Sequence, residues 1–193
     1  QSISISADGS FALITDIDLQ CIRKLTLANQ EFLVSTLAGG SCTITTCNRA
    51  DVEGIGGTNI SFLNPCNVDI SRGQSMAVTT GMYGGYIRFF DIGTGVVSSK
   101  IQVGSPSLAG DLDGVGTKAR FSGISAIKIS PKTTMMVVVD KQNAKIRLID
   151  LKTANVTTLL TLTTPSSTMQ KGISWSPMSD YLLYVESSSQ KPI

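Results

Sequence analysis

Ile129-Ser-Pro-Lys-Thr-Thr-Met-Met-Val-Val-Val-Asp140, continued by Lys145-Ile-Arg-Leu-Ile-Asp-Leu151, decides the fold of this chain. Ala126 to Ser130 reads as a first strand, ended by the Pro131-Lys132 turn. Met135 to Val139 is an unbroken apolar run, the pattern of a strand covered on both faces. After a polar turn at Asp140-Lys-Gln-Asn143, Lys145 to Leu151 alternates charged and apolar side chains, the period-two signature of a third strand. Lys152-Thr-Ala-Asn155 is another turn, and Val156 to Leu162 supplies a fourth strand. Four short strands joined by polar turns predict one antiparallel sheet, and no helical periodicity competes with it.

The same pattern recurs along the chain. It stands at Ile5-Ser-Ala-Asp-Gly-Ser-Phe-Ala-Leu-Ile-Thr-Asp16, at Ile70-Ser-Arg-Gly-Gln-Ser-Met-Ala-Val-Thr-Thr80 and at Ser174-Trp-Ser-Pro-Met-Ser-Asp-Tyr-Leu-Leu-Tyr-Val185. Ser71 and Ser130, Arg88 and Arg147, Asp91 and Asp150, and Phe62 and Phe121 are each separated by 59 residues. Ser6 and Ser71, like Arg23 and Arg88, are separated by 65, and Ser130 and Ser176 by 46. Landmarks that move together by one shift define a structural repeat. A repeating four-stranded antiparallel unit is a propeller blade. The expected fold is therefore an all-β propeller segment of about three and a half blades, a single unit over 1–193 with blades near 1–40, 62–105 and 121–165 and a partial blade at 172–193. Blades close into rings of typically four to eight. The segment is expected to be completed by further sequence or by a partner chain, which could add the two missing strands of the last blade by β-augmentation.

These residues resemble the NHL-repeat family. Leu108-Ala-Gly-Asp-Leu-Asp-Gly-Val-Gly-Thr-Lys-Ala-Arg-Phe121, with Ile124-Ser-Ala-Ile-Lys-Ile-Ser-Pro131, is similar to that family's inter-blade linker and first strand. Asn143-Ala-Lys-Ile-Arg-Leu-Ile-Asp150 and Thr153-Ala-Asn-Val-Thr-Thr-Leu159 are similar to its third and fourth strands. Tyr86-Ile-Arg-Phe-Phe-Asp91 repeats the pattern in the second unit and Cys21-Ile-Arg-Lys-Leu25 in the first. The chain departs from the family in an insert from Ser41 to Val52 and in a linker, Glu53-Gly-Ile-Gly-Gly-Thr58, that is one residue longer than Asp113-Gly-Val-Gly-Thr117. In the linker, Asp113-Gly114 and Gly116-Thr117 allow positive φ, and Phe121 is expected to re-enter the core between blades. Asp111 and Asp113 begin a pattern like a calcium loop, but its closing acidic residue is missing, so a turn capped by Asp side chains is expected instead. Arg23, Arg88 and Arg147, one per blade, are expected to pair with a backbone carbonyl or with an acid of the next blade; the alternative is that they line a binding surface.

Composition sets the setting. Charged residues are 16%, below the usual quarter, and the net charge of +2 comes from scattered Lys and Arg. Binding a phosphate backbone needs these clustered, so no nucleic-acid partner is expected. No apolar run is long enough to span a bilayer, so no membrane insertion is expected either. Four cysteines and no C-x-x-C favour two disulfides and an oxidising compartment. Four cysteines allow three connectivities; Cys42 and Cys47 enclose a short loop and are paired here, which leaves Cys21 with Cys66. That second bond would staple blade to blade and, on the chain-entropy model, contribute roughly 3–4 kcal/mol. Asn59-Ile-Ser61 and Asn155-Val-Thr157 are N-glycosylation sequons. Ser105, Ser107, Thr164, Ser166 and Ser167, clustered beside proline, are candidate O-glycan sites.

Function follows by exclusion. The chain has no histidine, so neither a Ser-His-Asp nor a Cys-His relay can be built, and the histidine ligands of the family's metal-dependent lyases are missing. No phosphate-binding or dinucleotide motif is present, and no cofactor is expected. The expected role is that of a secreted or cell-surface, non-catalytic structural glycoprotein. It would make contacts with other protein subunits, self-assembly included, and a surface fibre is one form that this role takes. The alternatives are a propeller lyase or hydrolase whose catalytic residues lie outside this segment, and a ligand-binding ectodomain.

Overall fold

A computed structural model describes residues 1–28, 31–40, 62, 64–81, 85–93, 97–162 and 169–186. The strands are β1 (Ile3–Ile5), β2 (Phe11–Asp16), β3 (Cys21–Ala28), β4 (Glu31–Gly39), β5 (Pro65–Ile70), β6 (Met76–Gly81), β7 (Gly85–Asp91), β8 (Val97–Ser105), β9 (Gly114–Val115), β10 (Ile124–Ile129), β11 (Met135–Asp140), β12 (Lys145–Asp150), β13 (Asn155–Thr161), β14 (Met169–Trp175) and β15 (Leu182–Glu186). Among the described residues the only helical element is a 3₁₀ turn at Gly116–Lys118. The strands form four antiparallel sheets in the orders β1-β2-β3-β4, β5-β6-β7-β8, β10-β11-β12-β13-β9 and β14-β15. Sheets of this kind set side by side are the architecture of a β-propeller.

The repeated serine explains why each sheet starts alike. Ser6, Ser71, Ser130 and Ser176 each donate their N–H to the carbonyl five residues on, at 2.8–2.9 Å. Each hydroxyl accepts the returning N–H of that same residue, at 3.0–3.2 Å. Each serine carbonyl also accepts from the residue three positions later, and that residue, Gly9, Gln74, Thr133 or Ser179, has φ of +56 to +73°. Serine is suited to this place because its short side chain satisfies the turn's backbone locally.

The sheets hide apolar faces against each other. Phe62 packs with Leu13 and Ile22 of the first sheet and Val68 and Phe90 of the second. Phe121 does the same between Ile87 and Val103 of the second sheet and Ile124 and Met136 of the third, as expected of a residue returning from the linker. Both rings are fully buried. Gly39 and Gly104 occupy one repeat position, each at φ +86°, and a Cβ there would come within 2.9 and 3.0 Å of the Phe62 and Phe121 rings. Glycine therefore serves both the backbone and the approach of the ring.

The linker before the third sheet does more than turn. Its β9 pairs with the outer strand β13 through Asn155 and Val156, adding a fifth strand to the blade that it precedes.

Candidate functional site

The four inner strands, β1, β5, β10 and β14, converge on an open depression of about 630 Å³. Four of its lining residues, Ser4, Asp69, Lys128 and Ser174, stand two places before the repeated serine, so equivalent positions meet at the centre. Asp69 is the hub. Ser4 Oγ donates to its Oδ1 at 3.2 Å, Lys128 Nζ donates to Oδ1 at 2.8 Å, and the Ile129 N–H donates to Oδ2 at 2.7 Å. The carboxylate is buried, and such a group is tolerable only when both oxygens are paired. Trp175 continues the chain of contacts by donating Nε1–H to the Lys128 carbonyl at 3.0 Å. Polar contacts thus join all four sheets around one centre. Asp69 carries no motif of its own in the sequence. Its offset from Lys128 equals the repeat length, and that was the available signal.

A second polar cluster lies at the rim of the third sheet. Arg147, on β12, is fully buried and pairs with Asp111 and Asp113 of the linker and, at 3.2 Å, with Asp140 of β11. Lys145 Nζ also reaches Asp111, at 2.6 Å. Asp113 accepts the Thr158 N–H at 2.8 Å. Burial opposes ionisation of Asp113, yet its hydrogen bonds from Thr158 and Arg147 outweigh this and hold its carboxyl below the usual carboxylate range. At Asp140 burial dominates and pushes the carboxyl up. These contacts correct two expectations. The acids that Arg147 meets belong to its own blade and entry linker, not to the next blade. Asp111 and Asp113 are the linker's anchors rather than turn caps alone. Arg23 makes the matching contact in the first blade, with Asp16 at 3.4 Å.

Among the described residues, no group of three or more Cys, Asp or Glu side chains is arranged to hold a metal ion. Cys21 is a buried free thiol, so the expected Cys21–Cys66 bond is not formed in this structure. Burial pushes the Cys21 thiol up to about 11. Cys66 lies 3.6 Å from Thr80 Oγ1 and accepts from Asn67 Nδ2 at 3.2 Å. Asn155 is exposed at the start of β13 and Ser107 is exposed beyond β8, while Ser105, the last residue of β8, is half-buried. Cys42, Cys47, Asn59, Thr164, Ser166 and Ser167 lie outside the described residues.

No family model matches the chain, and no curated protein matches it. Solved structures do. An auxiliary nutrient binding protein from Bacteroides thetaiotaomicron superposes over 81% of this chain and 35% of its own, with a TM-score of 0.56 and 16% identity. One with the same description from Bacteroides ovatus gives 0.55 and 14% over 82% of this chain and 35% of its own. Hydrazine synthase from Kuenenia stuttgartiensis gives 0.55 and 12% over 94% and 42%. At such identities the likeness is one of fold. The chain spans less than half the length of each of these proteins.

Proposed function

We propose that this chain is an NHL-type propeller module that works outside the cell as a non-catalytic structural glycoprotein, making protein–protein contacts within a larger assembly. One observation carries the reading: apolar side chains stand exposed on the first and last sheets. Phe32 and Leu33 on β4 are 74% and 67% exposed. On the last sheet Leu183 and Tyr184 are exposed, as are Met178 and Tyr181 in the turn that joins its strands. Exposed large apolar side chains gathered on one strand or hairpin mark candidate interaction sites. The exposed sequon residue Asn155 supports the extracellular setting, since a glycan there meets solvent.

A second reading, a ligand-binding ectodomain, is favoured by the central depression, whose size suits a small ligand. Sedimentation equilibrium over a wide concentration range separates the two. Association beyond one chain supports the assembly module; a monomer at every concentration contradicts it.

A further inference from the structure

A second, smaller cleft opens between the second and third blades, at the ends of β5 and β10 away from the central depression. It encloses about 270 Å³ between Cys66, Asn67, Ile124, Ser125, Lys141 and Gln142. Two β-bulges build it. The pairing of β5 with β6 shifts register between Pro65 and Asn67, and that of β10 with β11 between Ile124 and Ala126. The residues left out of the two ladders are Cys66 and Ser125, which the 59-residue repeat makes equivalent. A bulge re-aims the side chain that it leaves unpaired, and both of these line the cleft.

The wall on the second blade is polar where the third blade is apolar. Asn67 and Thr80 are buried opposite each other on β5 and β6. Asn67 Nδ2 donates to Thr80 Oγ1 at 2.9 Å and to Cys66 Sγ at 3.2 Å, which spends both amide protons. The equivalent pair on the third blade, Ala126 and Val139, is buried in apolar contact with Ile173 of the fourth sheet. At the same place the first blade carries Ser2 and Thr15, which bond to each other at 2.8 Å. Burying polar groups costs stability, and departures from an apolar core pattern gather at functional sites.

The third blade contributes hydrogen-bond donors. The Lys141 and Gln142 N–H groups donate to the Gly123 and Ser122 carbonyls at 3.2 and 2.9 Å, which fixes their turn against the linker. Gln142 Oε1 accepts from Ser122 Oγ at 2.7 Å, leaving the amide protons of Gln142 to donate elsewhere. Ser125 Oγ is buried without a hydrogen-bond partner among the described residues. Lys141 is the only charged residue that lines the cleft. Its neighbour Asp140 does not neutralise it, because that carboxylate is engaged by the Ser122 N–H, by Asn143 and by Arg147.

We infer that this cleft binds a small monocarboxylate, with Lys141 as its counter-charge and Gln142 and Ser125 as further donors. One cation balances one negative charge, whereas a phosphate dianion would stay half-compensated in a partly buried place. The volume is smaller than that of sites for drug-sized ligands, and Ile124 offers apolar surface to a short tail. The site does not depend on the assembly reading above.

The probe is sodium butanoate, titrated into the full chain at constant ionic strength and followed by the NMR shifts of backbone amides. Saturable shifts are expected at Cys66, Gly123, Ser125 and Lys141. Lys141→Gln, in a turn held by backbone bonds, keeps the fold and is expected to weaken binding about tenfold or more. Ser125→Ala is expected to weaken binding while leaving urea unfolding unchanged, because the hydroxyl has no partner within the chain to lose. Butanamide, of the same shape without the charge, and inorganic phosphate are both expected to bind more weakly than butanoate. Absence of saturable shifts at these residues overturns the inference. So does unchanged affinity in either variant, or binding of butanamide or phosphate as tight as that of butanoate.

Discussion

Phe121 lies against Gly104, and a Cβ on that glycine would come within 3.0 Å of the ring. The two residues come from different parts of one device: the linker delivers the ring, and the end of β8 makes room for it. Gly104→Ala meets the Gly85 backbone carbonyl first, then the ring, and an unfavourable φ of +86°, so it is expected to destabilise by about 2–3 kcal/mol. Phe121→Ala removes the wedge itself, and about 3–5 kcal/mol is expected. Urea unfolding checks both; a loss under about 1 kcal/mol in either would place the ring outside the inter-blade core.

Asp69 joins three sheets through Ser4, Lys128 and the Ile129 N–H. Asp69→Ala leaves that N–H and the ammonium group without their acceptor, at an expected cost of about 2–4 kcal/mol. Ser4→Ala, which removes one weak donor, should cost about 1 kcal/mol or less. Equal effects of the two in a denaturant titration would show that the carboxylate is not the hub.

Much of this was legible in the sequence, and the reason is repetition. The serine at 6, 71, 130 and 176 marked each β-hairpin because its turn depends on local backbone bonds. The linker phenylalanines declared themselves by spacing. The linker partners of Arg147, Asp111 and Asp113, did not, because they stand more than thirty positions away and are brought in only when the linker crosses to the outer edge of β13. The fifth strand was hidden for the same reason: two residues, Gly114 and Val115, carry no strand pattern of their own.

Acid should loosen that linker. The Asp113 carboxyl is held low in the folded chain, so the stability that it contributes is complete above the unfolded value, near 4, and is lost as pH falls below it. Thermal midpoints measured from pH 5 to pH 3 are expected to fall less steeply for Asp113→Asn than for the parent protein. Parallel curves would contradict a role for this carboxylate in holding the linker.

Cys21 is buried with its thiol raised to about 11, so at neutral pH it is protonated and shielded. Iodoacetamide should leave it unmodified in the native protein and label it in denaturant without reductant. If labelling in denaturant appears only after reduction, Cys21 is disulfide-bonded, and peptide mapping without reduction names its partner.

Hydrogen–deuterium exchange, compared between dilute and concentrated protein, tests most directly whether the uncovered blade surfaces make the protein contacts. Protection on association is expected at the β4 edge around Leu33 and Val34 and on the β14-β15 sheet, with the amides of Met136 to Val138 slow and unchanged throughout. Association that leaves both surfaces exchanging as before would contradict the account.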